Sequence, residues 1–516
     1  MPTKRAHLPA ASPARASLPL DPTSALRVVV GVVVVLVALA ALRLLWDSRS
    51  WPLVHDAPLM HYVAWQILEG AAPYRDIFDM NFPGVYLAHL LLLVTLGAGD
   101  LAFRAFDVGI LVVAAAALWA ALRPSGAWGG PAAAALFTLY HVAGGPWLAG
   151  QRELLLCAFL GWAAAGAIAA TRAGEPARTR WLGGASLALG AAIWVKPHTI
   201  VLVPFLAFLA WRTSRGSMRV HALGAVAAGI ALPAAAMLAW LAWVGGLGAF
   251  TDITLGYLVP LYSRLGRNDL LHELITRDYG ITVLGGLLAW LGLGTLALVR
   301  GRRWGTLAVL AAGVAYGGTH FWVQGRGWDY HFYPLAFFAV ALGGAGLGAA
   351  AQDRRGVLTA ILAITLVATA GELWTKGQRN RAPAWIDAKM ARVGRASTAL
   401  RPLVSAGSRV QVLDTTEGGI HVLLRLHVRQ PSRFLYDFHF YHDVDHPYVR
   451  RLRAELMGAL RARPPVAVLM FERGWPVGGY ERLARFPELQ GWLSEGYRIA
   501  EEADGYRLYV VRAATQ

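Results

Sequence analysis

The sequence predicts an α-helical polytopic membrane protein carrying a small soluble α/β domain at its C-terminal end. Three observations carry that reading. The 516 residues are 56% apolar, with a mean hydropathy of +0.45, which is more hydrophobic material than one soluble core of this size uses. The apolar residues are gathered into runs of membrane-spanning length. Near residue 375 the composition changes, charges intersperse and the apolar periods shorten.

Runs able to cross about 30 Å of hydrocarbon, or nearly so, lie at about 27–46, 101–121, 130–147, 153–170, 181–195, 197–211, 221–243, 281–299, 304–321, 332–351 and 356–374. That gives about eleven transmembrane helices. A further run at 83–99, PGVYLAHLLLLVTLGAG, is shorter and begins beside charges and a proline. The net charge of +17 sits in Lys/Arg clusters between the runs, which fits orientation in a bilayer and argues against nucleic acid as a partner. The clusters at Lys4/Arg5/Arg15, Arg123, Arg172/Arg178/Arg180, Arg212/Arg215/Arg219, Arg300/Arg302/Arg303 and Arg354/Arg355 share one side only if 83–99 does not cross. It is therefore expected to be an interfacial or re-entrant helix.

This topology predicts a disordered cytoplasmic tail over 1–26, a transmembrane domain over 27–374 whose first outer loop is 47–100, and an extracytoplasmic α/β domain over 375–516. The expected location is a bacterial inner membrane. Strands are predicted at 409–414, 465–471 and 506–512, with helices at about 447–462 and 478–495 between them. The single Cys157 lies in an apolar run and permits no intramolecular disulfide.

The unusual polar residues fall in the predicted outer loops, where charge beside hydrocarbon calls for a reason. Asp56 precedes Ala-Pro and a helical period, so its spacing fits an N-cap; a carboxylate at the membrane surface is equally suited to take a proton from a hydroxyl. Arg75, Asp76, Asp79 and Asn81 lie in APYRDIFDMNFPGVYL, a segment stiffened by Pro73 and Pro83. Gln151-Arg152-Glu153 opens one span, with Arg152 offering a planar donor fork. Lys196-Pro-His interrupts two apolar runs. QGRGWDYHFYP (324–334) supplies Arg326, Tyr330 and His331 among aromatics. The loop 244–280 is long enough to form a lid. HFYHDVDH (439–446) is dense in His and Asp but matches no named zinc spacing, so no metal site is assigned, while a divalent ion stays open.

On these pieces (Asp56, YRDIFDMNFPGVYL, GQRELLL, WVKPHTIVLVP and QGRGWDYHFYPL, in this order over about 50–335) the chain resembles the GT-C superfamily of membrane glycosyltransferases. The nearest branch is the bacterial one related to glycosyltransferase family 39, which includes protein O-mannosyltransferases and aminoarabinose transferases. The resemblance implies a GT-C-type fold and inverting transfer of a sugar from a polyprenyl-phosphate carrier to a hydroxyl of a glycan, lipid or protein, on the outer face. It implies Asp56 as the general base and Glu153 as the second-loop acid. Arg75, Arg152, Lys196, Arg326 and His331 become candidates for the donor phosphate, and Asp76, Asp79, Asn81 and Tyr330 for shaping the acceptor side. Two positions depart from the family: Asp56-Ala57 replaces a frequent Asp-Glu, and Asn81-Phe82-Pro83 stands where Lys-Pro-Pro is usual, leaving Arg75 to substitute for that lysine. The competing class is a transporter or flippase of lipid-linked saccharide, for which repeated halves and broken mid-membrane helices are expected; neither is visible in the sequence.

Overall fold

The computed structural model describes residues 22–276 and 280–512. The tail expected over 1–26 lies outside them up to residue 21, and the first helix already begins at Pro22. The helices in chain order are α1 (Pro22–Asp47), α2 (Ala57–Leu68), α3 (Gly84–Thr95), α4 (Asp100–Leu122), α5 (Gly129–Ala143), α6 (Arg152–Arg172), α7 (Ala177–Ile193), α8 (Val203–Thr213) and α9 (Met218–Trp243). They continue with α10 (Leu247–Ile253), α11 (Leu270–Thr276), α12 (Gly280–Arg300), α13 (Trp304–Gln324), α14 (Tyr333–Gln352) and α15 (Gly356–Asn380).

Among the described residues, 8 helices are long and apolar enough to cross a membrane: α1, α4, α6, α9, α12, α13, α14 and α15. The other three predicted runs are also helical but shorter. Helix α5 has 15 residues, α7 has 17, and the run at 197 is a 3-10 segment, Pro197–Leu202, leading into α8. The segment expected not to cross forms α3, whose 12 residues span about 18 Å against about 30 Å of hydrocarbon.

Helix α14 is the centre of the bundle, with 94% of its most apolar window buried. Its glycines permit this. A Cβ on Gly129 of α5 would lie 2.6 Å from the Gly344 carbonyl oxygen, so the two backbones touch directly, as small residues allow in lipid, where van der Waals packing replaces the hydrophobic effect.

The connections segregate to two ends. At one end, basic turns cap neighbouring carbonyls: Arg172 and Arg303 donate to Pro124 O, Arg27 to Ala351 O and Arg178 to Thr213 O. At the other end the first loop, the 244–268 loop and the 325–331 segment meet the C-terminal domain. Phe78 N donates to Arg433 O at 2.7 Å, Arg451 pairs with Asp252 at 2.7 Å, and Tyr257 bonds both His439 and His442, at 2.7 and 2.8 Å. The described part of the expected lid is thus fastened to the C-terminal domain; residues 277–279 lie outside the described residues.

The C-terminal domain holds α16 (Ala384–Leu400), β1 (Val410–Leu413), α17 (Gly419–Leu426), α18 (Pro447–Ala462), β2 (Ala467–Phe471), α19 (Pro487–Gly496), β3 (Tyr497–Ala503) and β4 (Tyr506–Val511). The sheet order is β1-β2-β4-β3, with β1 parallel to β2 and the rest antiparallel. The three expected strands are present; β3 was not expected. The helix expected over 478–495 is a 3-10 turn, Tyr480–Arg485, followed by α19, because Pro487 cannot continue the turn and starts a new helix instead.

Candidate functional site

Asp56 stands immediately before α2, as its spacing predicts, but its side chain caps nothing. The carboxylate turns instead to Arg152 at the start of α6, with Nη2 3.1 Å from Oδ2. The turn is set by His55, whose φ of +59° is a left-handed conformation that costs a β-carbon residue energy and is retained where surroundings demand it.

From Asp56 a continuous polar chain runs inward. Arg152 Nη1 donates to Asn81 Oδ1; Asn81 Nδ2 reaches both oxygens of Asp79, at 3.1 and 3.0 Å; Tyr86 donates its hydroxyl to Asp79 at 2.5 Å. Asp79 is 1% exposed, and burial raises its carboxyl above the usual range despite the bonds from Tyr86 and Asn81. Asp56 behaves oppositely. Burial favours its neutral form, but His55, Arg152, Lys389 and Lys196 outweigh that and hold it below the ordinary carboxylate range. His55, pushed down to about 4 by burial, is neutral at pH 7.

The next residue along, Glu153, is fully buried and pairs with Lys196 Nζ at 2.7 Å. Burial pulls the Lys196 ammonium down, against the attraction of Glu153. Tyr330 is in electrostatic reach of Asp56, Arg152 and Glu153, and His331 of Lys196, Arg326 and Arg152. Several buried polar atoms here have no partner among the described residues: Arg152 Nε, Glu153 Oε2, Tyr330 Oη and His331 Nδ1. Buried polar atoms are nearly always hydrogen-bonded, so a cluster of exceptions marks a place where a polar ligand fits.

Three predicted residues stand apart from this group. Arg75 and Asp76 pair with each other at 2.8 Å, 55% and 39% exposed, and the Arg75 guanidinium lies against Gly245. Arg326 is boxed by Tyr262, Trp328 and Trp475, with its carbon centre 4.3, 5.5 and 5.1 Å from the ring centroids, and donates to the carbonyls of Leu265 and Tyr262.

Two hollows open beside the site. An apolar groove of about 790 Å³ lies between α3, α4, α6, α7 and α9, with Trp194 and Val195, the two residues before Lys196, among its walls. A polar cleft of about 690 Å³ separates the bundle from the C-terminal domain, with His55, Trp147 and Lys389 among its walls. His55 and Lys389 were not singled out in the sequence. His55 adjoins a candidate base in WPLVHDAP, which was a usable signal; Lys389 lies on amphipathic α16, which resembles any solvent-facing helix.

Among the described residues no group of three or more His, Cys, Asp or Glu side chains is arranged to hold a metal ion. In HFYHDVDH, His439 and His442 are both engaged by Tyr257.

No protein-family model matches the sequence, and neither does any curated protein. Solved structures do match. ArnT from Cupriavidus metallidurans bound to undecaprenyl phosphate superposes with a TM-score of 0.55 at 12% identity, over 93% of this chain and 98% of that one. In the apo state ArnT gives 0.57 at 13% identity, over 92% and 97%. The arabinofuranosyltransferase AftD from Mycobacteria gives 0.54 at 13% identity, over 94% of this chain and 40% of that one. The chain has the fold of the GT-C membrane glycosyltransferases.

Proposed function

We propose that the protein transfers a sugar from a polyprenyl-phosphate carrier to a hydroxyl acceptor on the outer face of the membrane, with inversion at the anomeric carbon. The observation that carries this reading is an apolar groove next in the chain to a cationic centre: Trp194 and Val195 are among the walls of the groove of about 790 Å³, and the residue that follows them is Lys196, paired with Glu153. A lipid phosphate has that form, an apolar tail joined to an anionic head. The structural neighbour ArnT binds undecaprenyl phosphate, which supports the same assignment here.

The chain's own residues then have separate tasks. Lys196 and Arg152, with His331 nearby, face the phosphate and stabilise the charge that grows on it as the bond to the sugar breaks. Glu153 holds Lys196 in place at 2.7 Å. Asp56 accepts the acceptor's proton: the hydroxyl oxygen bonds to the anomeric carbon, the carbon–oxygen bond to phosphate breaks, its electron pair stays on the phosphate, and the proton passes to the carboxylate. Asp79, Asn81 and Tyr86 fix the far side of Arg152 and so the direction of its remaining donor. Exposure of the Arg75–Asp76 pair favours leaving those two out of the reacting group, and the aromatic box around Arg326 favours a bracing role for that residue.

The test is incubation of the purified protein with a panel of polyprenyl-phosphate sugars and measurement of the bare carrier. Release from at least one donor is expected. No release from any donor by well-folded protein contradicts the proposal.

A further inference from the structure

The polar cleft has a chemistry of its own. Its charged walls are Asp329, Lys389, Arg392, Glu417, Arg473 and Asp504, three carboxylates against three cations, so its formal charge is balanced. Part of that charge is already joined: Arg392 Nη1 lies 2.7 Å from Glu417. His55, held neutral by burial, adds none. Two tryptophans form a corner within it, Trp147 and Trp385, with centroids 5.8 Å apart and planes at 74°. Trp385 is 41% exposed, and Trp147 is half-buried. A second hollow of about 540 Å³ shares Thr416, Glu417 and Arg473 with the first and continues over the C-terminal domain.

The cleft also leads to the proposed base. His55 stacks on Trp147 at 3.7 Å between centroids, and His55 Nε2 lies 3.6 Å from Asp56 Oδ1. A molecule resting on the tryptophan corner therefore lies against His55, the residue before Asp56, with the continuing hollow on its other side.

We infer that the acceptor is an uncharged glycan chain, bound in this cleft with its terminal hydroxyl toward Asp56. This rests on the proposed transferase reading and extends it to the acceptor. The reasoning is by elimination among surfaces. A polyanionic acceptor needs an excess of cations, and the walls have none. An acyl lipid needs apolar walls, which lie in the other groove. A sugar ring presents C–H faces that stack on indole and a rim of hydroxyls that both donate and accept, and a corner of tryptophans edged with mixed charges offers both kinds of contact. The volume of about 690 Å³ falls in the ordinary range for small-ligand sites, and position between domains is a common one for them.

The experiment uses the full chain in nanodiscs and measures calorimetric binding of neutral oligosaccharides, alongside a serine-rich peptide and a phosphorylated oligosaccharide. Binding of at least one neutral glycan is expected, weakened tenfold or more by Trp385→Ala and unchanged by Trp243→Ala, which removes an indole that is 84% exposed and outside the cleft. Carrier release is measured on the same samples. If donor is discharged to water but no neutral glycan binds, or if the peptide or the phosphorylated sugar binds instead, the acceptor inference is overturned while the transferase reading stands. If glycans bind at Trp385 but no donor is consumed, the cleft stands as a glycan site and the transferase reading fails. Glycan binding that survives Trp385→Ala also overturns the inference.

Discussion

Two carboxylates, the partly buried Asp56 and the buried Asp107, face arginines at the same end of the bundle and differ in what is left over. Asp107 is 0% exposed and fully engaged: Arg104 donates to Oδ2, His141 Nε2 lies 3.0 Å from the same oxygen, and Gly150 N donates to Oδ1 at 2.6 Å. His141 is in turn bonded to Tyr333 at 2.6 Å, so the cluster ties α4, α5 and α14 to the turn that presents Arg152 and Glu153. Asp56 is 15% exposed, shares Arg152 with Asn81, and follows His55, which lines a cleft. Burial makes both carboxylates costly, but only the one with spare acceptor capacity and an approach path is able to receive a proton. Asp107 shapes the site by holding its backbone.

Breaking that contrast produces its largest effect at Asp107. Asp107→Ala leaves Arg104 buried without its counter-charge, and losing one member of a buried pair costs about 3–5 kcal/mol; thermal unfolding in detergent is expected to fall sharply, with loss of folded yield. Next comes Lys196→Ala, which removes a cation proposed to face the donor phosphate. A preplaced donor of this kind is worth about 10²–10³ in rate, so donor discharge per folded molecule should fall by about that factor; the melting temperature should fall as well, because Glu153 is left buried without its counter-charge.

A smaller effect is expected at the surface. The double variant Arg75→Ala/Asp76→Ala removes an exposed pair of a kind worth about 0–1 kcal/mol, and both stability and discharge should stay within about fivefold of the parent. The smallest is the pH response of Asp56. Its folded pKa is depressed, so the ionised form already predominates at the ordinary carboxylate value of about 3.9. Between about pH 5 and 7 no loss of rate from this group is expected, and the acid limb should begin only below that range. The stability from the same depression is present above the unfolded pKa and lost as pH falls through the folded one. An acid limb of the transfer step centred near pH 6 would contradict the assignment.

Much of this was legible in the sequence because charge near lipid is rare and each instance has to be spent on something. Asp56, Arg152, Glu153 and Lys196 could be picked out for that reason, and the structure brings them together. Arg75 and Asp76, picked out by the same rule, lie apart from that group as an exposed pair, and local sequence does not record exposure. Asp56 fitted an N-cap by spacing, yet its carboxylate belongs to Arg152, 96 residues away in the chain. Strand β3 escaped notice because YRIAEEA is an edge strand with most side chains outward, which erases the apolar alternation that marks a half-buried strand. Lys389 and the tryptophan corner depend on how the C-terminal domain docks, and no local pattern encodes that.

If Asp56 accepts the proton in transfer, Asp56→Asn removes the base while the amide keeps the shape and the contact to Arg152. With a donor that the parent protein discharges, the variant is expected to bind the lipid-linked sugar with affinity within a few fold of the parent and to transfer it about 10²–10⁴ times more slowly. Transfer at the parent rate with unchanged donor binding would contradict the account.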